Sequence, residues 1–121
     1  MSTIKNFEDL TIWKDSRNLV KTIYSSFQMI KDFGYKDQIQ RASISIMNNI
    51  AEGFERDSNK EFIRYLYISK ASCGEVRSML YVAKDLAYLG NDQTDNLQKS
   101  CRKIAISTNK MIEYLKTTLK H

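Results

Sequence analysis

No proline interrupts the 121-residue chain, and it contains only four glycines, so little in it forces a long helix to break. Proline removes a backbone donor and clashes with the preceding helical turn, while glycine adds to the entropic cost of a helix. A β-rich domain of this length needs more turn residues than the chain provides. The sequence therefore predicts an all-α fold, and its length suits one core.

Apolar side chains recur at intervals of three and four residues in four segments, which is the pattern of amphipathic helices. We predict helices over about 9–30, 36–55, 59–89 and 95–119, with a break at 32–34. Ser58 and Glu61 form a capping box at the start of the third helix, and Gly90 stops it. Short connections favour an antiparallel up-down four-helix bundle, with residues 1–121 as a single domain.

The last two predicted helices carry long apolar stripes, which we assign to the core. The stripe residues are Phe62, Leu66, Ser69, Cys73, Val76, Leu80, Ala83 and Ala87, then Leu97, Cys101, Ile104, Thr108, Met111, Leu115 and Leu119. Further apolar side chains lie off these faces and exceed what one core needs. Because an exposed apolar strip usually marks a subunit interface, we predict self-association. The candidate interface residues are Ile44, Met47, Phe54, Tyr67, Tyr81 and Tyr88.

The formal charge of +5 is concentrated in the last predicted helix. Basic and acidic side chains cancel over residues 1–95, whereas Glu113 is the single acidic residue after position 95. Such an asymmetry favours an anionic partner, although an ordinary solvated face gives the same pattern. The candidate nucleic-acid-binding cations are Lys99, Arg102, Lys103, Lys110 and Lys120, joined by Lys70 and Arg77 close to tyrosines of the third helix.

The sequence lacks the residue combinations that most enzyme and metal sites require. His121 is the single histidine, and Cys73 and Cys101 are too far apart for a CxxC pair. Zinc, di-iron and histidine-activated nucleophile sites are therefore not expected, and neither is a cofactor or a phosphate loop. An acid–base pair made of carboxylates alone stays open. Without a spanning segment or an export signal, we expect a cytoplasmic protein with reduced thiols and no membrane role.

One segment carries a recognisable signature. Residues 45–62 read SIMNNIAEGFERDSNKEF and are followed by Leu66, Ser72 and Glu75. This resembles the family of four-helix-bundle proteins encoded in intervening sequences of bacterial 23S ribosomal RNA genes. An opening Phe-Glu-Asp-Leu at 7–10 with Trp13 extends the resemblance over nearly the whole chain. Two departures are the absence of a proline near 33–35 and Ala-Ser-Cys at 71–73 in place of a Gly-Ser pair.

The resemblance implies a ring-like homo-oligomer, with a pentamer favoured. It also implies kinship with the accessory variability protein of diversity-generating retroelements, a basic pentamer that binds nucleic acid and works with a reverse transcriptase. Most members of the family have no established biochemical activity.

The polar residues of the signature suggest an active site at first, but structural roles explain them better. We predict that Asn49 bonds to Ser72 or Glu75 across the bundle and that Arg56 pairs with a carboxylate one turn earlier. Buried polar contacts of this kind often fix helix register. The predicted structural network consists of Asn49, Glu52, Arg56, Ser58, Glu61, Ser72 and Glu75.

These observations favour a non-enzymatic, nucleic-acid-binding protein that recognises phosphates with little sequence specificity. RNA and DNA both remain candidates. The alternative is a protein-interaction scaffold whose basic face meets an acidic protein partner, and catalysis is a third possibility. Membrane-surface binding is weaker still, because the apolar stripe of the fourth helix is needed for the core.

Overall fold

The computed structural model describes residues 4–119, and over these residues the chain is all-α, with no strand. A short 3-10 turn at Phe7–Asp9 precedes four α-helices. The helices are α1 (Thr11–Ser26), α2 (Phe33–Phe54), α3 (Asn59–Asp85) and α4 (Asn91–Thr117). The prediction of an all-α fold with four helices is therefore confirmed, while several helix ends differ from the predicted ones.

The turn between α1 and α2 lies earlier than the sequence predicts. Helix α1 ends at Ser26 rather than near Ile30, and α2 begins at Phe33 rather than near Lys36. The side chain of Asp32 explains the early start, because it caps α2 by accepting a hydrogen bond of 3.2 Å from the Tyr35 amide. This cap stabilises a first turn that includes a glycine, so the break lies at 27–32 rather than at the predicted 32–34.

The end of α3 is set by Ala87, and the prediction that Gly90 stops this helix was wrong. Ala87 has a φ of 56°, and the Tyr88 amide donates to the carbonyl of Ala83 at 2.8 Å. The Ala87 amide donates to the carbonyl of Lys84 at 3.2 Å, which completes a Schellman motif. Ala87 is therefore exposed rather than in the core, and Gly90 is the N-cap of α4.

All four helices contribute side chains to one apolar core. Both cysteines are buried as thiols, and the Cys73 thiol donates to the carbonyl of Cys101 at 3.1 Å. Near the end of α4 the buried position is Ile112, whereas Met111 is only half-buried and Leu119 is exposed. The largest fully buried side chains include Leu10, Ile23, Phe27, Ile39, Ile46, Ile50, Leu66, Val76, Leu80, Ile104 and Ile112.

Helix α3 packs closely against both α2 and α4. In each pair of helices, the residue numbers of the contacting positions decrease along one helix as they increase along the other. Between α2 and α3 the contacts include Tyr35 with Met79 at 2.6 Å, Ser45 with Ser72 at 2.9 Å and Ile46 with Ser69 at 2.8 Å. Between α3 and α4 they include Lys70 with Asn109 at 3.0 Å, Arg77 with Gln98 at 3.4 Å and Lys84 with Asp95 at 2.7 Å.

Gly53 permits the closest approach of α2 to α3. A Cβ atom at this position would lie 2.6 Å from the Cβ of Tyr65 and 3.0 Å from Cδ1 of Phe62. Both distances are shorter than the contacts that carbon atoms tolerate, about 3.5–4.0 Å at best separation. The glycine of the signature is therefore required by packing between the helices.

Candidate nucleic-acid interface

The outward face of α4 presents a row of cations to solvent. Lys99, Arg102, Lys103 and Lys110 are all exposed. Their spacing places them on the side of the helix opposite the buried stripe. Lys120, which the sequence adds to this group, lies outside the described residues. We call the four described cations the α4 basic face.

Carboxylates neutralise part of this region. Lys103 has its ammonium nitrogen 3.8 Å from an Asp15 carboxylate oxygen, although its side chain stays 71% exposed. Glu113 lies 3.3 Å from Lys116 rather than against the α4 basic face. Within residues 4–119, no carboxylate lies within 4.0 Å of the Lys99, Arg102 or Lys110 head groups. Most of the positive charge predicted for this face is therefore available to a ligand.

The two cations predicted on α3 are less exposed than those on α4. The Lys70 ammonium group donates to the side-chain oxygen of Asn109 at 3.0 Å. Arg77 is half-buried, and its backbone carbonyl accepts a hydrogen bond from Gln98 at 3.4 Å. These two residues line the seam between α3 and α4, so they contribute charge at the edge of the α4 basic face rather than at its centre.

Two tyrosines of α3 lie exposed beside cations. Tyr67 is 44% exposed, with the Lys116 ammonium 5.6 Å from its ring centroid, and Tyr81 is 47% exposed, with Lys84 at 5.7 Å. The Tyr67 hydroxyl, followed by Glu113, raises the pKa of Lys116. Exposed rings beside cations suit the stacking of unpaired bases as well as burial in a subunit interface.

Two of the predicted interface residues, Tyr88 and Phe54, also make contacts within the chain. The Tyr88 hydroxyl donates to Asp32 at 2.5 Å, and this bond, followed by the Tyr35 amide, lowers the pKa of the Asp32 carboxyl. Phe54 packs edge-on against Phe62, with ring centroids 5.8 Å apart. Ile44 and Met47, also predicted at the interface, are half-buried. Tyr67 and Tyr81 are the predicted interface residues with the most exposed rings.

The signature residues form hydrogen bonds that join α2 to α3. Asn49 donates to the carbonyl and hydroxyl oxygens of Ser45 at 2.8 and 3.0 Å, and Ser45 contacts the Ser72 hydroxyl at 2.9 Å. Asn49 thus reaches Ser72 through Ser45, a residue that sequence reasoning missed. Glu75 is exposed, and its predicted bond to Asn49 is wrong because the Asn49 amide is committed to Ser45. These bonds link α2 to α3, and a role of the network in fixing helix register stays a prediction.

The second part of the signature is organised around Tyr65. Arg56 pairs with Glu52 at 2.8 Å, as the spacing predicts, and also donates to the Tyr65 hydroxyl. Arg64 contacts the ring of Tyr65 as well, with its guanidinium carbon 4.7 Å from the centroid. Ser58 caps α3 by accepting from the Glu61 amide at 3.2 Å, while the Glu61 carboxylate pairs with Arg64 instead of completing the capping box.

No three histidine, cysteine, aspartate or glutamate side chains gather as metal ligands in the part of the chain that the structure describes. Over the same residues, no helix is both long and apolar enough to cross a bilayer.

The helices and their shared core define this chain as a four-helix bundle. The model of the 23S rRNA-intervening sequence protein family matches residues 8–110. The chain belongs to this family, and the resemblance read from residues 45–75 is confirmed.

A solved structure supports the same fold. It is that of a protein of unknown function from the S23 ribosomal protein family of Bacteroides thetaiotaomicron VPI-5482. The two chains share 22% identity and superpose with a TM-score of 0.81 over 84% of this chain and 98% of the other. At this identity the likeness concerns the fold. A search of curated proteins gives no match.

Proposed function

We propose that the protein binds nucleic acid through the α4 basic face, by phosphate contacts and without catalysis. The observation that carries the proposal is the exposure of Lys99, Arg102 and Lys110 with no carboxylate within 4.0 Å in residues 4–119. When such cations neutralise phosphates, condensed counterions leave the nucleic acid, and their release drives binding with little dependence on sequence. The resemblance to a basic, nucleic-acid-binding relative points the same way.

The proposal includes an up-down bundle that assembles into a ring-like homo-oligomer, with a pentamer favoured by resemblance. Exposed apolar side chains support self-association, since surfaces of this kind usually become buried against another subunit. They include Tyr67, Ile68, Tyr81 and Val82 on α3, and Leu86 just after its end. Repetition of the α4 basic face around a ring would raise affinity through multivalency. A cytoplasmic location and a reverse transcriptase partner belong to the same proposal.

A protein scaffold with an acidic partner is the second candidate, and Ile106 favours it. This side chain is 58% exposed on the same side of α4 as the cations. A protein partner would bury it, because cores of protein interfaces are more apolar than their rims. A phosphate backbone would leave it in water.

The test is fluorescence anisotropy with labelled single-stranded RNA, single-stranded DNA and duplex DNA. We expect the double variant Lys99→Glu and Arg102→Glu to bind at least about tenfold more weakly, a loss of roughly 1.4 kcal/mol. The matched control is Lys31→Glu with Lys60→Glu, which reverses two exposed cations elsewhere. Equal losses in both variants, or no loss in the first, would refute the assignment to α4.

A further inference from the structure

A groove of about 390 Å³ lies between α1 and α4, beside the α4 basic face. Its volume falls within the range of small-ligand sites, roughly 300–1,000 Å³. It extends along α1 from Asp15 to Ser26, about 16 Å at the helical rise of 1.5 Å per residue. These dimensions suit a single nucleotide.

The walls of the groove are polar and its floor is apolar. Amide and hydroxyl groups line both sides, from Asn18, Thr22, Gln93, Asn96 and Ser100. The floor is formed by buried aliphatic side chains, from Leu19, Leu97 and Ile104. Amides recognise the hydrogen-bonding edges of bases, and an apolar surface suits the faces of their rings.

Asp15 supplies an acceptor that the chain leaves unused. One of its carboxylate oxygens, Oδ2, is buried and has no hydrogen-bond partner among residues 4–119. The Lys103 ammonium group, 3.8 Å away, is too distant for a hydrogen bond. The Asp15 side chain as a whole is 26% exposed and lines the groove, so a turn of the carboxylate brings Oδ2 within reach of a ligand. A buried acceptor without a donor costs about 1–3 kcal/mol, so a ligand that supplies two donors would be favoured.

Cations lie along both rims of the groove. On α4, Lys99 and Lys103 are exposed beside Asn96. On α1, Lys14 and Lys21 are exposed. They lie four residues before and three residues after Asn18, so they share the side of α1 on which Asn18 lines the groove. Phosphates on either side of a bound base would thus meet lysines. Sequence reasoning missed the two lysines of α1 because acidic residues balance the charge of the first 95 positions.

We propose that this groove binds an unpaired guanine, with Asp15 accepting hydrogen bonds from the N1–H and N2–H groups of the base. Guanine carries two adjacent donors on one edge, and a carboxylate offers two acceptors in matching geometry. The proposal rests on the proposed function, since lysines at the rims hold the phosphates of the strand that carries the base. Guanine would then be the one base that this protein recognises, while its other contacts are with phosphates.

The experiment uses labelled oligouridine strands that differ only at one central position: guanosine, inosine or uridine. Inosine matches guanosine except for the missing N2 amino group. We expect the guanosine strand to bind the full-length protein about tenfold more tightly than the inosine strand. The isosteric variant Asp15→Asn should bind all three equally, because an amide cannot accept from both donors. Circular dichroism checks that this variant is folded.

The outcomes separate the two proposals. Equal, salt-sensitive binding of the three strands by the unaltered protein would overturn the guanine site and leave the α4 basic face intact. Binding of none of the strands would overturn both. Titration with guanosine monophosphate separates the sources of the base: weaker binding than the strand supports a base within a strand. If guanosine monophosphate binds as tightly as the strand, the proposal that the groove recognises guanine within a strand is overturned.

Discussion

Substitution of Gly53 by alanine tests the packing that joins α2 to α3. The added Cβ would lie 2.6 Å from the Cβ of Tyr65, which is fixed to the backbone of α3 and has no rotamer that moves it away. It would also lie 3.0 Å from Cδ1 and 3.4 Å from the carbonyl oxygen of Phe62. Relief therefore requires the two helices to separate.

The expected loss of stability follows from two opposing effects. Overpacking of a core costs about 1–3 kcal/mol, and a contact with a backbone-fixed atom belongs at the upper end of that range. Alanine in place of glycine returns about 1 kcal/mol in a helix interior and no more than this in the last turn of α2, where Gly53 lies. The net loss is about 2 kcal/mol. At an unfolding entropy of roughly 2.1 cal/mol/K per residue, the melting temperature falls by about 8 °C.

The assay is thermal unfolding followed by circular dichroism at one fixed protein concentration, because oligomers melt at temperatures that depend on concentration. Gly74→Ala is the matched control, since a Cβ there would have no atom within 4 Å among its surroundings. The control gains the helix-propensity benefit alone and should melt higher than the unaltered protein. If Gly53→Ala melts as high as Gly74→Ala, the close approach is not what Gly53 provides.

Two further predictions concern local features of the helices. Ala87→Gly should stabilise the protein by about 1 kcal/mol, because a left-handed residue with a Cβ is strained. The control Ala71→Gly, within α3, should destabilise it by a similar amount. Chemical denaturation measures both changes, and a loss of stability in Ala87→Gly would contradict the Schellman assignment. Burial raises the pKa of Tyr35 from about 10 to about 12, so its stabilising contribution is complete below pH 10 and is lost as the pH rises toward 12. The melting temperature should therefore fall less steeply over this pH range in Tyr35→Phe than in the unaltered protein, and parallel curves would contradict this.

The sequence predicts the helices and much of the core, because the recurrence of apolar residues with the helical period of about 3.6 can be recognised from residue types alone. The helix ends were harder to predict, since they depend on individual backbone bonds. Ala87 adopts the left-handed conformation that usually selects glycine, so the position of Gly90 does not reveal where α3 ends. The cap at Asp32 likewise overrides the weak helix propensity of Gly34.

The candidate site also has one part that the sequence predicts and another part that it does not. The exposure of Lys99, Arg102 and Lys110 follows from their position opposite the buried stripe of α4, so sequence reasoning places them well. The approach of Asp15 to Lys103 and the groove beside it depend on how α1 packs against α4. No local pattern in the sequence encodes that packing, so the sequence does not predict that Asp15 and Lys103 lie close together.

The salt dependence of binding tests the central claim most directly. For single strands, log K falls with log salt by about 0.7 for each phosphate that is neutralised. Contacts from Lys99, Arg102 and Lys110 therefore contribute about −2 to the slope per protomer, and the slope should become shallower by this amount when all three are changed to glutamine. A flat dependence in the unaltered protein, or a slope that the triple substitution leaves unchanged, would contradict phosphate binding by this face.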